Sequence, residues 1–205
     1  MPKDKSKTLE KIIPAAKSEF LEKGFTGASM RSIAARADMS AAGLYCHFEN
    51  KEAMFEALVS PVYSELIRRY NAQSDIYFEQ LENVGMGKMF DASGKTMAIF
   101  VEYIYDNLDE FRLLISCSEQ TPYEHFTHAL VDLEVEMSIN YIAKAKALGY
   151  EVNDISREEI HIIASAMFSC IYEIVLHEIP KKKGIRMAEQ FSSFFAAGWK
   201  DLLLK

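Results

Sequence analysis

Residues 29–51 read Ser-Met-Arg-Ser-Ile-Ala-Ala-Arg-Ala-Asp-Met-Ser-Ala-Ala-Gly-Leu-Tyr-Cys-His-Phe-Glu-Asn-Lys, and this stretch decides the fold. Ser29 is placed to cap a helix, because its hydroxyl can accept from an unpaired amide of the first turn. Ile33, Ala34 and Ala37 then fall on one helical face. Asp38-Met39-Ser40 is too polar and too short for anything but a turn, and Asp38 tolerates the left-handed backbone that a helix end requires. Ser40 caps a second helix with Leu44 and Phe48 on its inner face. The small Ala34 lets the two helices cross closely. Two short helices joined in this way make a helix-turn-helix.

The outward face of the second helix is Ala41, Ala42, Gly43, Tyr45, Cys46 and His47. Its small residues let the backbone approach a groove floor, and Tyr45 and His47 reach phosphates or base edges. In DNA-binding proteins of this build the second helix enters the major groove. The same geometry also serves as an αα-hairpin that merely packs, so the physics of the stretch leaves both readings open.

Gly24-Phe25, Ser29-Met30-Arg31, Ile33-Ala34, Ala37, Met39-Ser40, Leu44-Tyr45, His47-Phe48 and Lys51-Glu52 together resemble the N-terminal DNA-binding domain of the tetracycline-repressor (TetR) family. The likeness runs in order and without gaps over roughly residues 8–55. Three positions depart from the family pattern. Asp38 stands where Gly is usual, Ala28 where Thr is common, and Pro14 falls inside what should be the first helix. The resemblance implies an all-α regulator that binds a near-palindromic double-stranded DNA operator as a homodimer and responds to a small-molecule effector. The DNA-binding residues are then Ser29, Arg31, Ser40, Ala41, Ala42, Gly43, Tyr45, His47 and Lys51, the last against the DNA backbone. No cofactor, metal or catalytic residue belongs to this reading.

Composition is consistent with such a division of labour. The 205 residues are 49% apolar and carry a formal charge of −7, enough core for one or two domains and too acidic for a general nucleic-acid binder. Residues 1–48 hold eight Lys and Arg against five Asp and Glu, a net +3, so the remainder carries −10. A basic end on an acidic body is what a directional DNA binder shows, and a solvated Lys-rich tail has the same composition. Cys46, Cys117 and Cys170 are odd in number and widely spaced, without a disulfide framework or zinc spacing. The N-terminus lacks an apolar signal core, and no apolar run approaches the ~20 residues that span a bilayer. These features predict a soluble cytoplasmic protein with no membrane partner.

The rest of the chain reads as helices. A first helix ends near Lys23, with Leu9, Ile12, Ala16 and Phe20 inward, a stop at Gly24, and a kink or a delayed start imposed by Pro14. Asn50 caps a long connecting helix that carries Met54, Phe55, Leu58, Val62, Leu66, Tyr70, Tyr77 and Leu81, with a kink or restart at Ser60-Pro61. Residues 83–95, with Gly85, Gly87 and Gly94, form a loop, and a helix follows from about Ser93 to Asn107. Asp109 caps a short helix. Thr121-Pro122-Tyr123-Glu124 is a start signal for a helix reaching Leu148, and Ser156-Arg157-Glu158-Glu159 is a second. The loop Lys181-Lys182-Lys183-Gly184 precedes a last helix. The division expected is a DNA-binding domain over 1–52 and a ligand-binding and dimerisation domain over 53–205.

In that second domain, the stripes of the last two helices are wider than one core face needs. Ala164, Phe168, Ile171, Phe191, Phe195, Gly198 and Trp199 are the expected dimer interface, an intermolecular four-helix bundle. Met97, Phe100, Tyr103, Phe126, Met137, Tyr141, Met167 and Cys170, with Met89, supply adaptable apolar walls for an effector that is hydrophobic or aromatic. Glu102, His128, Glu134 and Glu173 are expected to face solvent. Two rival functions compete. His125 and His128, near Cys117 and Glu124, have the spacing of a metal site or Cys–His pair, although spacing fixes no third ligand. Alternatively the fold binds DNA or a partner with no effector and no specific operator, because residues 41–43 carry no base-reading hydrogen bonds.

Overall fold

The computed structural model describes residues 5–86 and 96–204. Expectations that fall on 1–4, 87–95 and 205, including Met89, Gly87, Gly94 and the helix start near Ser93, lie outside the described residues. Among those described the chain is all-α: α1 Lys5–Gly27, α2 Met30–Arg36, α3 Ala41–Tyr45, α4 Lys51–Asn83, α5 Thr96–Asp106, α6 Leu108–Ser116, α7 Phe126–Ala147, α8 Arg157–Leu176 and α9 Lys181–Leu203. They fall into two compact units. One comprises Met1–Glu65 and Asn107–Phe126, the other Leu66–Asp106 and Thr127–Lys205. The boundary read at 52/53 therefore differs from the compact units: the first extends to Glu65 and takes in α6.

In the first unit, α1 begins earlier than expected and runs through Pro14. Pro14 and Glu10, whose carbonyl the proline ring displaces, are both exposed, so the lost helix bond is open to water. Helical geometry breaks instead at Gly24 (φ 68, ψ 172), where the left-handed backbone favours glycine. Ile12, Ala16 and Phe20 are buried, but Leu9 is exposed, contrary to the helical-face reading. Pro61 likewise lies inside a continuous α4 and does not end it; the ring and the Ala57 carbonyl it displaces are on the exposed side. The core is built on Phe20, Phe25 and Phe55, with ring centroids 5.2–6.0 Å apart. α6 packs on α1, and its Phe111, Leu113 and Leu114 are buried. It starts at Leu108 after Asn107, not at an Asp109 cap; Asp109 and Glu110 occupy its first turn, where acids favour the helix dipole.

The Thr121 start signal does not open a helix. Its hydroxyl accepts the Tyr123 amide and donates to the Ser118 carbonyl, while the Glu124 carboxylate accepts the Gln120 amide. These local bonds close a turn, and α7 begins at Phe126.

The second unit matches its sequence signals at several ends. Ser156 and Glu159 form a complete capping box at α8, and Gly149 (φ 87) follows the end of α7. One expectation is corrected and another qualified. Lys181–Gly184 is the first turn of α9 rather than a loop. Gly184 is needed there because a Cβ would lie 2.8 Å from Cε2 and Cζ of Tyr105, whose hydroxyl donates to the Ile179 carbonyl. α8 qualifies the statement on apolar runs: although Arg157, Glu158, Glu159 and Glu173 interrupt it, an 18-residue window of this helix has a mean hydropathy of 1.6, long and apolar enough by composition alone to cross a membrane. In this unit α8 buries Ile160, Ala164, Phe168, Ile171, Ile174 and Val175.

Gly184→Ala should lower the urea midpoint by the equivalent of ~1–3 kcal/mol, the usual cost of overpacking. Combining it with Tyr105→Ala should cost less than the sum of the two single changes, because the clash is then relieved.

Candidate nucleic-acid interface

The helix-turn-helix is closed by local hydrogen bonds. Ser29 Oγ accepts the Ser32 amide at 3.2 Å and Ser40 Oγ accepts the Gly43 amide at 3.1 Å. Asp38 takes a φ of 55°, which is why Gly is favoured there and why an Asp can replace it. The Met39 amide donates to the Ala34 carbonyl at 3.0 Å, folding the turn onto α2. Ile33, Ala34 and Leu44 are fully or almost fully buried between the helices.

The second helix is shorter than its apolar pattern implies. α3 covers Ala41–Tyr45; Cys46 and His47 lie in the turn after it, and Phe48 is half-buried rather than core. Among the expected contact residues, Tyr45 is 52% exposed. Arg31, Ser29, Ser40 and Ala42 are exposed as well, and Ala41, Gly43 and His47 are half-buried. The two serine hydroxyls act as caps, which leaves Arg31, Tyr45 and His47 as the side chains of this set that can extend to a ligand.

The basic surplus read from the sequence is partly consumed inside this unit. Glu19 is fully buried and holds Lys23 at 2.9 Å and Arg36 at 2.7 Å. Burial works against its charge, but the bonds from Lys23 and Ser32 and the neighbouring Arg36 outweigh that and keep the carboxyl below the usual range. Arg36 also pairs with Glu22 and donates to Ser18 at 3.0 Å, and Lys17 pairs with Glu110. Lys51 donates to the carbonyls of Phe25 at 2.6 Å, Ala28 at 3.2 Å and Thr26 at 3.4 Å, and lies 4.3 Å from the centroid of the Phe25 ring. A phosphate at this position would have to share those N–H donors. Asn50 caps α4 through the Ala53 amide at 2.7 Å. Arg31, by contrast, is exposed and in no ion pair among the described residues.

The expected effector residues divide between the units. Phe126 belongs to the first, against Tyr63 and Phe111. Met97, Phe100, Tyr103, Met137, Tyr141, Met167 and Cys170 belong to the second, all buried or half-buried. Within it, Glu134 is not the solvent-facing acid expected: its carboxylate accepts the Tyr70 hydroxyl at 2.6 Å. Tyr77 donates to Thr96 at 2.7 Å, and the buried Tyr141 hydroxyl and Gln80 Oε1 have no hydrogen-bond partner among the described residues. The signal in the sequence was the helical spacing of Tyr70, Gln73, Tyr77 and Gln80 on α4 and of Glu134, Ser138 and Tyr141 on α7.

The expected dimer residues also separate. Ala164, Phe168 and Ile171 are buried within their own unit. Phe191, Phe195 and Trp199 are half-buried and Gly198 is exposed. Exposed apolar surface instead includes Ile162 at 67% and Phe194 at 71%, together with Leu176 and Leu202. For the rival catalytic reading, His125 lies in the turn before α7 rather than on a helix with His128, and burial pushes the Cys117 thiol up, away from the reactive thiolate. No group of three or more His, Cys, Asp or Glu forms a metal site among the described residues.

Residues 12–58 match the family described as "Bacterial regulatory proteins, tetR family". Over 59 residues the chain is 42% identical to the "Probable HTH-type transcriptional regulator YttP" of Bacillus subtilis (strain 168), a match covering 29% of this chain and 28% of that protein. Among solved structures, NalD of Pseudomonas aeruginosa, the secondary repressor of the MexAB-OprM multidrug efflux pump, is similar with a TM-score of 0.55 at 18% identity over 98% of each chain. The TetR family transcriptional regulator PfmR of Thermus thermophilus is similar with a TM-score of 0.57 at 17% identity, covering 90% of this chain and 93% of its own. At those identities the two structures share the fold.

Two variants test the clamps. Glu19→Gln should lower the melting temperature at pH 7 by about 5 °C. Because folding depresses the Glu19 pKa, its stabilisation is present above the ordinary value of 4.5 and is lost as pH falls through the lower folded value. The parent and the variant should therefore converge in acid. Lys51→Ala should cost about 2 kcal/mol in urea unfolding by removing charged bonds to three carbonyls.

Proposed function

We propose that the chain, whose residues 12–58 match the tetR family of bacterial regulatory proteins, is a DNA-binding transcriptional repressor that a small molecule releases from its operator. The observation that carries the reading is the outward face at α2 and α3: Arg31 exposed and outside any described ion pair, Tyr45 half exposed, and a floor of Ala41, Ala42 and Gly43 that lets the backbone approach a groove. Specificity then rests on Arg31, Tyr45 and His47, on backbone approach and on DNA shape.

Two copies act together in this reading. The apolar surface of Phe194 and Leu202 on α9 and of Ile162 and Leu176 on α8 is the kind of surface that a second copy covers. Phe191, Phe195, Gly198 and Trp199 lie on α9 with it. A two-fold dimer sets two reading heads about 34–36 Å apart on a near-palindromic site. The apolar interior of the second unit houses the effector, and α4, whose residues belong to both units, carries the change. A ligand that favours another head spacing lowers operator affinity by population shift. The functional division is a reading head over 1–52 and a sensing and pairing region over 53–205, working in the cytoplasm.

Titration of the promoter upstream of its own gene against random DNA tests the reading. Operator affinity should exceed the random value by at least about a thousandfold at physiological salt. Tyr45→Ala should weaken operator binding by about tenfold with little change in melting temperature. Binding that falls steeply with salt and hardly distinguishes the two DNAs would instead favour an interaction protein without a specific operator.

A further inference from the structure

The interior of the second unit contains a polar seam that an apolar core does not need. Tyr70, Gln73, Tyr77 and Gln80 recur at three- and four-residue steps on α4, and Glu134, Ser138 and Tyr141 recur likewise on α7. The Tyr70–Glu134 bond joins the two rows, and Thr96 of α5 closes on Tyr77. Phe100 lies 6.4 Å from the Tyr70 ring and Phe78 lies 5.8 Å from the Tyr141 ring, so aromatic faces wall the seam.

Its hydrogen bonding is lopsided. Glu134 receives one neutral donor, Tyr70, and pairs with no Lys, Arg or His among the described residues. Among the described residues Gln80 Oε1 is a buried acceptor with nothing to accept, and the Tyr141 hydroxyl is buried and unpartnered. An acid left without a cation and a buried amide oxygen left without a donor are both costly in an apolar interior. The seam thus holds an acid without a cation, an amide oxygen without a donor and a hydroxyl that can serve as either, and aromatic faces line it. Its complement is an apolar body bearing a positive charge and N–H groups, since aromatic faces attract cations as well.

We propose that this seam is a binding site for an apolar organic cation, an ammonium or amidinium on an aromatic or hydrocarbon body, with Glu134 as its counter-charge and Tyr141 and Gln80 as further hydrogen-bond partners. The proposal rests on the reading above that the second unit houses the effector, and it names the effector's chemical class.

Three probes on one skeleton test it by calorimetry on the full chain: 6-phenylhexylamine as the cation, 6-phenylhexanol as the neutral form and 6-phenylhexanoate as the anion. The amine should bind at least about tenfold tighter than either of the others. Glu134→Gln should abolish that preference while changing alcohol binding by less than about threefold. Equal binding of the three, a preference for the anion, no binding of the amine, or a preference that survives Glu134→Gln each overturns the proposal. The ranking in the unmodified protein is decisive by itself should the variant fail to fold. Operator release, followed in parallel, separates the two readings. Glu134-dependent binding of the amine with operator affinity unchanged upholds the cation site and refutes the effector role. Release by the alcohol or the carboxylate, without release by the amine, upholds the effector role and refutes the cation class.

Discussion

A single ammonium determines how the first unit is put together. The backbone reverses at Gly24 and directs the carbonyls of Phe25, Thr26 and Ala28 towards one point. The Lys51 bonds to two of them, Phe25 and Ala28, are partly buried, where an unpaired carbonyl would be expensive. Lys51, the first residue of α4, supplies the donors and sets its charge on the face of Phe25. The end of α1, the entry to α2 and the start of α4 are thereby tied together, and the Phe20–Phe25–Phe55 cluster forms behind that tie. The positions of α2 and α3, and of everything they present outward, follow from it.

The same economy reshapes the electrostatics. A charge tally credits residues 1–48 with a net +3, yet Lys17, Lys23 and Arg36 are paired with acids of their own unit. What faces outward at the helix-turn-helix is a small set, with Arg31 as its exposed cation. A surface with few charges and small residues at α3 suits close backbone approach more than a broad electrostatic hold. In the second unit the logic is reversed. There the interior keeps Glu134 without a paired base among the described residues, and burial holds its carboxyl above the usual range. Such a group costs stability once it ionises.

Local signals were read most reliably where their bonds are local. The caps at Ser29, Ser40, Asn50 and Ser156, the turn at Asp38 and the stop at Gly24 each depend on atoms within a few residues, and each occurs in the structure. Thr121-Pro122-Tyr123-Glu124 carries the same signature and makes a turn, because its side chains find partners at Ser118 and Gln120. Pro14 carries the expectation of a kink or a delayed start and Pro61 that of a kink or restart; α1 and α4 run through them, and both stand on exposed faces, where a displaced carbonyl meets water and packing on the other side carries the helix through.

The order of residues alone determined the all-α class, the helix-turn-helix and the small outward face at 41–43, since these rest on periodicity and on bonds between near neighbours. Tertiary structure decided the rest. Gly184 starts a helix because Tyr105 lies against it, Lys51 is a clamp because three carbonyls converge on it, and Ala164, Phe168 and Ile171 are core because their own unit covers them. Glu134, expected at the surface, is half-buried and paired because a tyrosine 64 positions away faces it. The physical reason is common to all four: burial and pairing depend on which side chains meet across elements, and spacing along a helix gives the face without naming the neighbour.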